Sequence, residues 1–130
     1  MYKVVCNLEQ QKQYSKRFYK GDIVIIDFGQ QRGSVQGGVR PAVIIQNNTG
    51  NRYGTTILVA PITSKKKKNI PTHVNIKKGE GNLEKDSTIL MEQVRVVDKS
   101  DIIKLVGHIT DNDIYTEIDN AILVSFAVQN

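Results

Sequence analysis

Between Asp22 and Val97 the chain consists of short apolar runs separated by clusters of glycine, asparagine and lysine. Ile23–Phe28 (IVIIDF) is short and rich in β-branched residues, so it reads as a strand. Gly29–Gly38 holds four glycines and little apolar mass and reads as an exposed, mobile loop. A second strand is expected over Ala42–Gln46, with Pro41 at its entrance, where a missing amide costs least. Asn47–Gly54 has the composition of a turn-rich connection. Thr55–Ile62 is expected to form a third strand, which Pro61 places at an edge or bend. A basic loop over residues 64–69 leads to a fourth strand at Thr72–Ile76 and a polar turn region at Lys77–Asp86. Ser87–Val97 is strand material, bent around Glu92.

Beyond Asp98 the period changes. Asp101–Val106 reads as a short helix closed near Gly107, because glycine commonly ends helices. Thr110 precedes an apolar face of Ile114, Ile118, Ala121, Ile122 and Ser125, spaced near 3.6 residues. Thr110 with Asp113 is expected to cap that C-terminal helix. Residues 1–19 read as an N-terminal extension, helical or flexible, and residues 20–130 as one domain. Several strands followed by helices predict an α+β, mostly-β domain around a compact, mostly antiparallel, small barrel-like sheet. A doubly wound nucleotide-binding fold is excluded, because strands do not alternate with long helices. The glycines of residues 29–38 lack the Gly-Lys-Ser/Thr close of a phosphate loop, so nucleotide hydrolysis is excluded too.

The length of 130 residues suits one domain. No apolar run approaches the ~18 residues that cross a bilayer, and the first residues lack the apolar core of a secretory signal. A single cysteine, Cys6, permits no internal disulfide and no ordinary structural zinc site, so a reducing cytoplasm is the expected location. The net charge of +5 conceals a division. Residues 1–20 carry five Lys/Arg against Glu9, residues 21–78 nine against Asp22 and Asp27, and residues 79–130 four against ten Asp/Glu. One surface is therefore expected to attract a polyanion and another to repel it.

The chemistry is first narrowed by what is missing. No Gly-x-Ser-x-Gly elbow, no closely spaced histidine pair and no early cluster of acids appears. A metal-dependent phosphodiesterase is not indicated, and no cofactor or metal is expected. Arg40 stands out in Gly37-Gly38-Val39-Arg40-Pro41, because Pro41 restricts it towards extended geometry. A guanidinium held there either grips phosphate oxygens or pairs with Asp22 or Asp27. Thr63 and Ser64 leave the third strand just before Lys65, Lys66, Lys67 and Lys68, where a hydroxyl either donates to a phosphate or closes an ordinary turn. Gln93 and Arg95 alternate along the late strand and could face a groove. His73 and His108 offer acid–base groups or structural hydrogen bonds, and Tyr53 either stacks on a base or caps a turn.

Taken in order, these segments resemble the MazF/PemK family of type II toxin–antitoxin ribonucleases. The resemblance runs from Lys20-Gly21-Asp22-Ile23-Val24 to near the C-terminus and leaves residues 1–19 unmatched. It is carried by Gly33-Ser34, Gln36-Gly37-Gly38-Val39-Arg40-Pro41, Val43-Ile44-Ile45-Gln46-Asn47-Asn48 and Gly50-Asn51-Arg52-Tyr53. Pro61-Ile62-Thr63-Ser64, Pro71-Thr72-His73-Val74 and Asp86-Ser87 with Leu90 and Glu92-Gln93-Val94-Arg95 complete it. The resemblance implies an SH3-like small barrel with accessory helices, assembled as a homodimer. It also implies sequence-specific, metal-independent cleavage of single-stranded RNA, with mRNA the usual substrate, and inhibition by a cognate acidic antitoxin. It assigns catalysis to Arg40 and Thr63, and RNA binding to Gly33, Ser34, Gln36, Ser64, Lys65–Lys68 and Gln93. Where several relatives carry an acid between the loop serine and glutamine, this chain has Val35, which leaves the general base open.

The chemistry that fits is attack by the RNA's own 2′-hydroxyl, giving 2′,3′-cyclic phosphate and 5′-hydroxyl ends. Two other readings stay open at this level. One is a non-catalytic barrel toxin that binds a protein such as DNA gyrase, and the other is an inactive RNA-binding relative.

Overall fold

A computed structural model describes residues 17–127; the expectation for an N-terminal extension falls mainly on residues outside that range. The strands are β1 (Asp22–Asp27), β2 (Val39–Ile44), β3 (Thr56–Thr63), β4 (His73–Ile76), β5 (Ser87–Leu90), β6 (Arg95–Asp98) and β7 (Ile102–His108). Two helices, α1 (Asn48–Tyr53) and α2 (Asn112–Ser125), complete the ordered elements apart from short 3₁₀ turns. Every named pairing is antiparallel. The strands follow the path β4-β5-β3-β2-β1-β7, with β6 branching from β3. This is the expected mostly-β antiparallel architecture with a C-terminal helix, and its sheet is not closed.

The strands read as continuous apolar runs because both faces of the sheet are buried. Neighbours such as Ile23 and Val24, Ala42 and Val43, or Val59 and Ala60 fall into opposite core clusters, as the two-residue period of a strand requires. One cluster is covered by Ile114, Ile118 and Ala121 of α2 together with β4. The other packs β1, β2, β3 and β6 with Ile102 and Phe18. Phe18 is only 2% exposed, so the core begins before Lys20.

The structure corrects four local expectations. Residues 101–106 do not form a helix: β7 runs through them, paired with β1 from Ile26↔Ile102 to Asp22↔His108. Gly107 lies inside that strand, where a Cβ would stand 2.3 Å from the Gly81 carbonyl oxygen, so it marks a close backbone approach and not a helix end. The Asn47–Gly54 turn contains α1, started by the Asn47 side chain accepting from the Gly50 amide at 2.9 Å. Buried Asn51 anchors it through Nδ2 to the Gln46 carbonyl at 2.8 Å, and the buried Lys99 ammonium donates to the Asn51 carbonyl. The N-cap of α2 is Asp111, not Thr110; its carboxylate accepts from the Asp113 amide at 2.9 Å. Pro41 also lies within β2 and Pro61 within β3, each further inside its strand than expected.

Two polar clusters tie α2 to the sheet. The Glu80 carboxylate accepts from the amides of Thr110 at 2.7 Å and Asp111 at 2.8 Å. His108 joins Asp22 at 2.6 Å through Nδ1 and the Tyr115 hydroxyl at 3.2 Å through Nε2. Tyr115 in turn donates to the Ile109 carbonyl at 2.8 Å. Burial pushes the Tyr115 phenol above its ordinary range, helped by the charges of Asp22 and Glu80. The Asp111 amide, opposed by partial burial and helped by Thr110, holds Glu80 below its ordinary 4.5. A carboxylate lowered in the folded state adds stability above the unfolded value and loses it as pH falls through the folded one. Urea midpoints should therefore fall on acidification below about pH 4.5 more steeply for the wild type than for Glu80→Gln, and the two curves should approach each other in acid.

Candidate functional site

The β2–β3 ladder contains only three pairs and ends at Ala42↔Pro61. In an antiparallel ladder, hydrogen-bonded and non-bonded pairs alternate. Whichever of Ala42–Pro61 and the next position, Pro41–Ile62, is the hydrogen-bonded one contains a proline without an N–H. The two strands therefore stop pairing here, and β3 continues only along its other edge, through Ile62↔Ile89 and Thr63↔Thr88 to β5. A cleft of about 490 Å³ opens at this point.

Arg40, Thr63, Ser64 and Lys65 all line that cleft. The Arg40 Nε donates to the Gly37 carbonyl at 2.7 Å. Among the described residues, its two terminal nitrogens have no hydrogen-bond partner. The alternative pairing with Asp22 or Asp27 is not made: Asp22 joins His108 and the Tyr19 amide, and Asp27 accepts from the Gly29 amide at 2.8 Å. The buried Thr63 hydroxyl accepts from the Lys65 amide at 3.2 Å, which leaves its own proton to be donated. An arginine fork and a hydroxyl donor thus line one cleft.

Gly33, Ser34, Gln36 and Gln93 form a second group outside the cleft lining. Gln93 binds the loop from both sides: Oε1 accepts from the Gln36 amide at 2.8 Å, and Nε2 donates to the Ser34 carbonyl at 3.0 Å. Arg95 adds a longer contact to the Gln36 carbonyl at 3.4 Å while its guanidinium lies over the Phe28 ring. Gly37 must be glycine, because a Cβ would meet the Gln31 backbone nitrogen at 2.3 Å. The loop clamped by Gln93 is therefore the same loop whose Gly37 carbonyl orients Arg40. Val35 is half-exposed in it and makes an isolated bridge to Arg32.

Of the lysine run, only Lys65 lines the cleft; Lys66, Lys67 and Lys68 are exposed beyond it. His73 fixes the far end of the run, with Nδ1 on the Lys68 carbonyl at 2.9 Å and Nε2 on Glu92 at 3.0 Å. His73 and His108 both serve in hydrogen-bonded networks outside the cleft. Tyr53 is exposed beside Arg52. Lys85 and Lys104 also line the cleft, and sequence reasoning missed both. Both sit in the acidic last third of the chain, and Lys104 was hidden by reading β7 as a helix. The β-branched run Ile-Ile-Lys-Leu-Val at 102–106 was the available signal. Among the described residues, no group of three His, Cys, Asp or Glu side chains is placed to hold a metal ion. No described helix is long and apolar enough to cross a membrane.

Residues 19–126 match a family model described as a PemK-like, MazF-like toxin of type II toxin–antitoxin systems. The chain is 44% identical over 110 residues to an endoribonuclease MazF of Staphylococcus saprophyticus, covering 84% of this chain and 91% of that relative. Its fold is similar to MazF from Deinococcus radiodurans, with a TM-score of 0.73 at 22% identity, covering 87% of this chain and 99% of that one. It is also similar to a mycobacterial endoribonuclease solved in complex with its cognate antitoxin, with a TM-score of 0.72 at 18% identity over 86% and 97% of the two chains.

The clamp geometry has a direct readout. Gln93→Ala removes the acceptor from a buried amide, a loss worth about 1–3 kcal/mol. Hydrogen exchange at the Gln36 amide should accelerate on the order of tenfold, while amides in β1 and β3 keep their protection.

Proposed function

Because this chain belongs to the PemK-like, MazF-like toxins of type II toxin–antitoxin systems, we propose that it cuts single-stranded RNA, mRNA above all, at short sequence motifs by attack of the substrate's own 2′-hydroxyl. It is an endoribonuclease toxin, and its kinship covers most of the chain. The observation that carries the mechanism is the shared cleft of Arg40 and Thr63.

In the proposed reaction the 2′-oxygen bonds to phosphorus as the bond from phosphorus to the 5′-oxygen breaks. The 2′-hydroxyl gives its proton to solvent and the leaving 5′-oxygen takes one from solvent, so the products are a 2′,3′-cyclic phosphate and a 5′-hydroxyl. The attacking group belongs to the RNA, which accounts for discrimination against DNA. No metal is needed in this scheme: Arg40 offsets the charge that grows on the non-bridging oxygens, and Thr63 donates a hydrogen bond to them. The part of Arg40 is electrostatic, because its guanidinium presents a fork of donors matched to phosphate oxygens. With Val35 in the loop, no acidic side chain there takes the 2′ proton.

Ser64 and Lys65 sit beside the same phosphate site, Lys66–Lys68 attract the strand, and the loop of Gly33, Ser34 and Gln36, held by Gln93, meets the bases. A cognate antitoxin is the protein partner, and its proposed acidic character matches the positive cleft. The toxin is proposed to act in the cytoplasm as a homodimer; exposed Ile103 and Leu105 on the edge strand β7 supply apolar surface for association.

Purified protein should cleave a long transcript in EDTA, and the new 5′ ends should accept label from polynucleotide kinase without prior phosphatase treatment. Arg40→Ala and Thr63→Ala should each lower the cleavage rate on the order of 100–1,000-fold with the melting transition intact. Near-normal cleavage by both variants, or 5′-phosphate products, would remove this mechanism.

A further inference from the structure

The cleft holds more positive charge than the catalytic assignment uses. Arg40, Lys65, Lys85 and Lys104 line it against a single acid, Glu84. Among the described residues, neither Lys85 nor Lys104 makes an ion pair, and both are exposed. They arrive from separate parts of the chain, Lys85 from the turn before β5 and Lys104 from β7. Unpaired cations converging on one concave wall raise the local concentration of anions.

Register fixes where Lys104 stands. It lies opposite Ile25 on β1, and Ile25 lies opposite Pro41 on β2. Residues directly opposite share a face, so Lys104, Ile25 and Pro41 form one row across three strands, and Ile62 and Thr63 of β3 line the cleft beyond it. β1 and β2 lie between the strand of Lys104 and the strand of Thr63. The hydroxyl of Thr63 is short and anchored to the Lys65 amide, on the far side of β1 and β2 from Lys104. Between them lies an apolar floor of Ile25, Pro41 and Ile62.

We propose that Lys104, assisted by Lys85, binds an RNA phosphate neighbouring the scissile one, with the intervening nucleoside over the apolar floor. This rests on the endoribonuclease reading above and extends it. Lys104 is a positioning residue: it acts on binding of the strand and leaves the chemical step to Arg40 and Thr63.

The test uses an RNA oligonucleotide spanning a mapped cleavage site, made uncleavable by a single 2′-deoxy substitution. Lys104→Ala should weaken its binding roughly three- to fivefold at moderate salt. It should also reduce the slope of log affinity against log salt by about 0.7, the value for one phosphate contact on a single strand. Lys85→Ala/Lys104→Ala should weaken binding further but reduce that slope no more than Lys104→Ala does, because both lysines serve one phosphate, and Lys104→Arg should restore it. Lys77→Ala, an exposed lysine outside the cleft, should behave as wild type. On cleavable RNA, Lys104→Ala should raise KM with kcat unchanged. Replacing single linkages with neutral methylphosphonates should abolish the Lys104→Ala effect at one flanking position. If the wild type cleaves RNA but Lys104→Ala keeps its affinity and salt slope, or loses kcat instead, the inference is overturned and the nuclease reading stands. If the wild type cleaves no RNA, the nuclease reading itself fails.

Discussion

The site depends on a constraint in the backbone: two strands that should pair meet at prolines and cannot. Pro41 and Pro61 occupy consecutive rungs of the β2–β3 ladder, so the ladder ends whichever rung carries the hydrogen bonds. What an unbroken sheet would have filled becomes a cleft, with Arg40 on one bank and Thr63 on the other. β3 remains fixed along its second edge by β5, so Thr63 is held although its β2 neighbour is gone. The placement of Arg40 and Thr63 across the cleft is therefore set by main-chain chemistry before any side chain contributes.

Side chains then refine the opening. The Gly37 carbonyl takes up the Nε of Arg40, and the loop presenting that carbonyl is pinned by the side-chain amide of Gln93. Gln93 follows the bend between β5 and β6, which β3 pairs in succession. A chain of contacts thus runs from the sheet through Gln93 and the glycine-rich loop to the guanidinium. The resemblance assigns Gln93 to RNA binding, and the structure shows it holding the glycine-rich loop through the Gln36 amide and the Ser34 carbonyl.

Much of this was readable from the chain alone, and the failures have definite causes. The β-branched runs at Ile23 and Thr55 identify strands because both sheet faces are apolar. Arg40 and Thr63 are conspicuous because prolines and glycines bracket them. Residues 102–108 were misread because Gly107 has two physical meanings, and only the Gly81 backbone, 26 residues away in sequence, selects the second. That misreading also concealed Lys104, whose place beside Ile25 is a fact of register and not of local composition. The helix over Asn48–Tyr53 was hidden for a similar reason: asparagine and glycine are poor helix formers, and its support comes from Lys99, nearly fifty residues later.

The burial of Phe18 has a practical corollary for dissecting the molecule. It packs with Val24, Ile26 and Phe28 on the sheet face away from α2. A shortened chain starting at Lys20 would preserve every polar group of the cleft yet leave a void the size of an aromatic ring behind it, a defect worth about 3–5 kcal/mol. Fragments meant to isolate the nuclease from whatever precedes it should therefore begin upstream of Arg17, and a loss of activity on deeper trimming would report a hollowed core and not a missing contact to RNA.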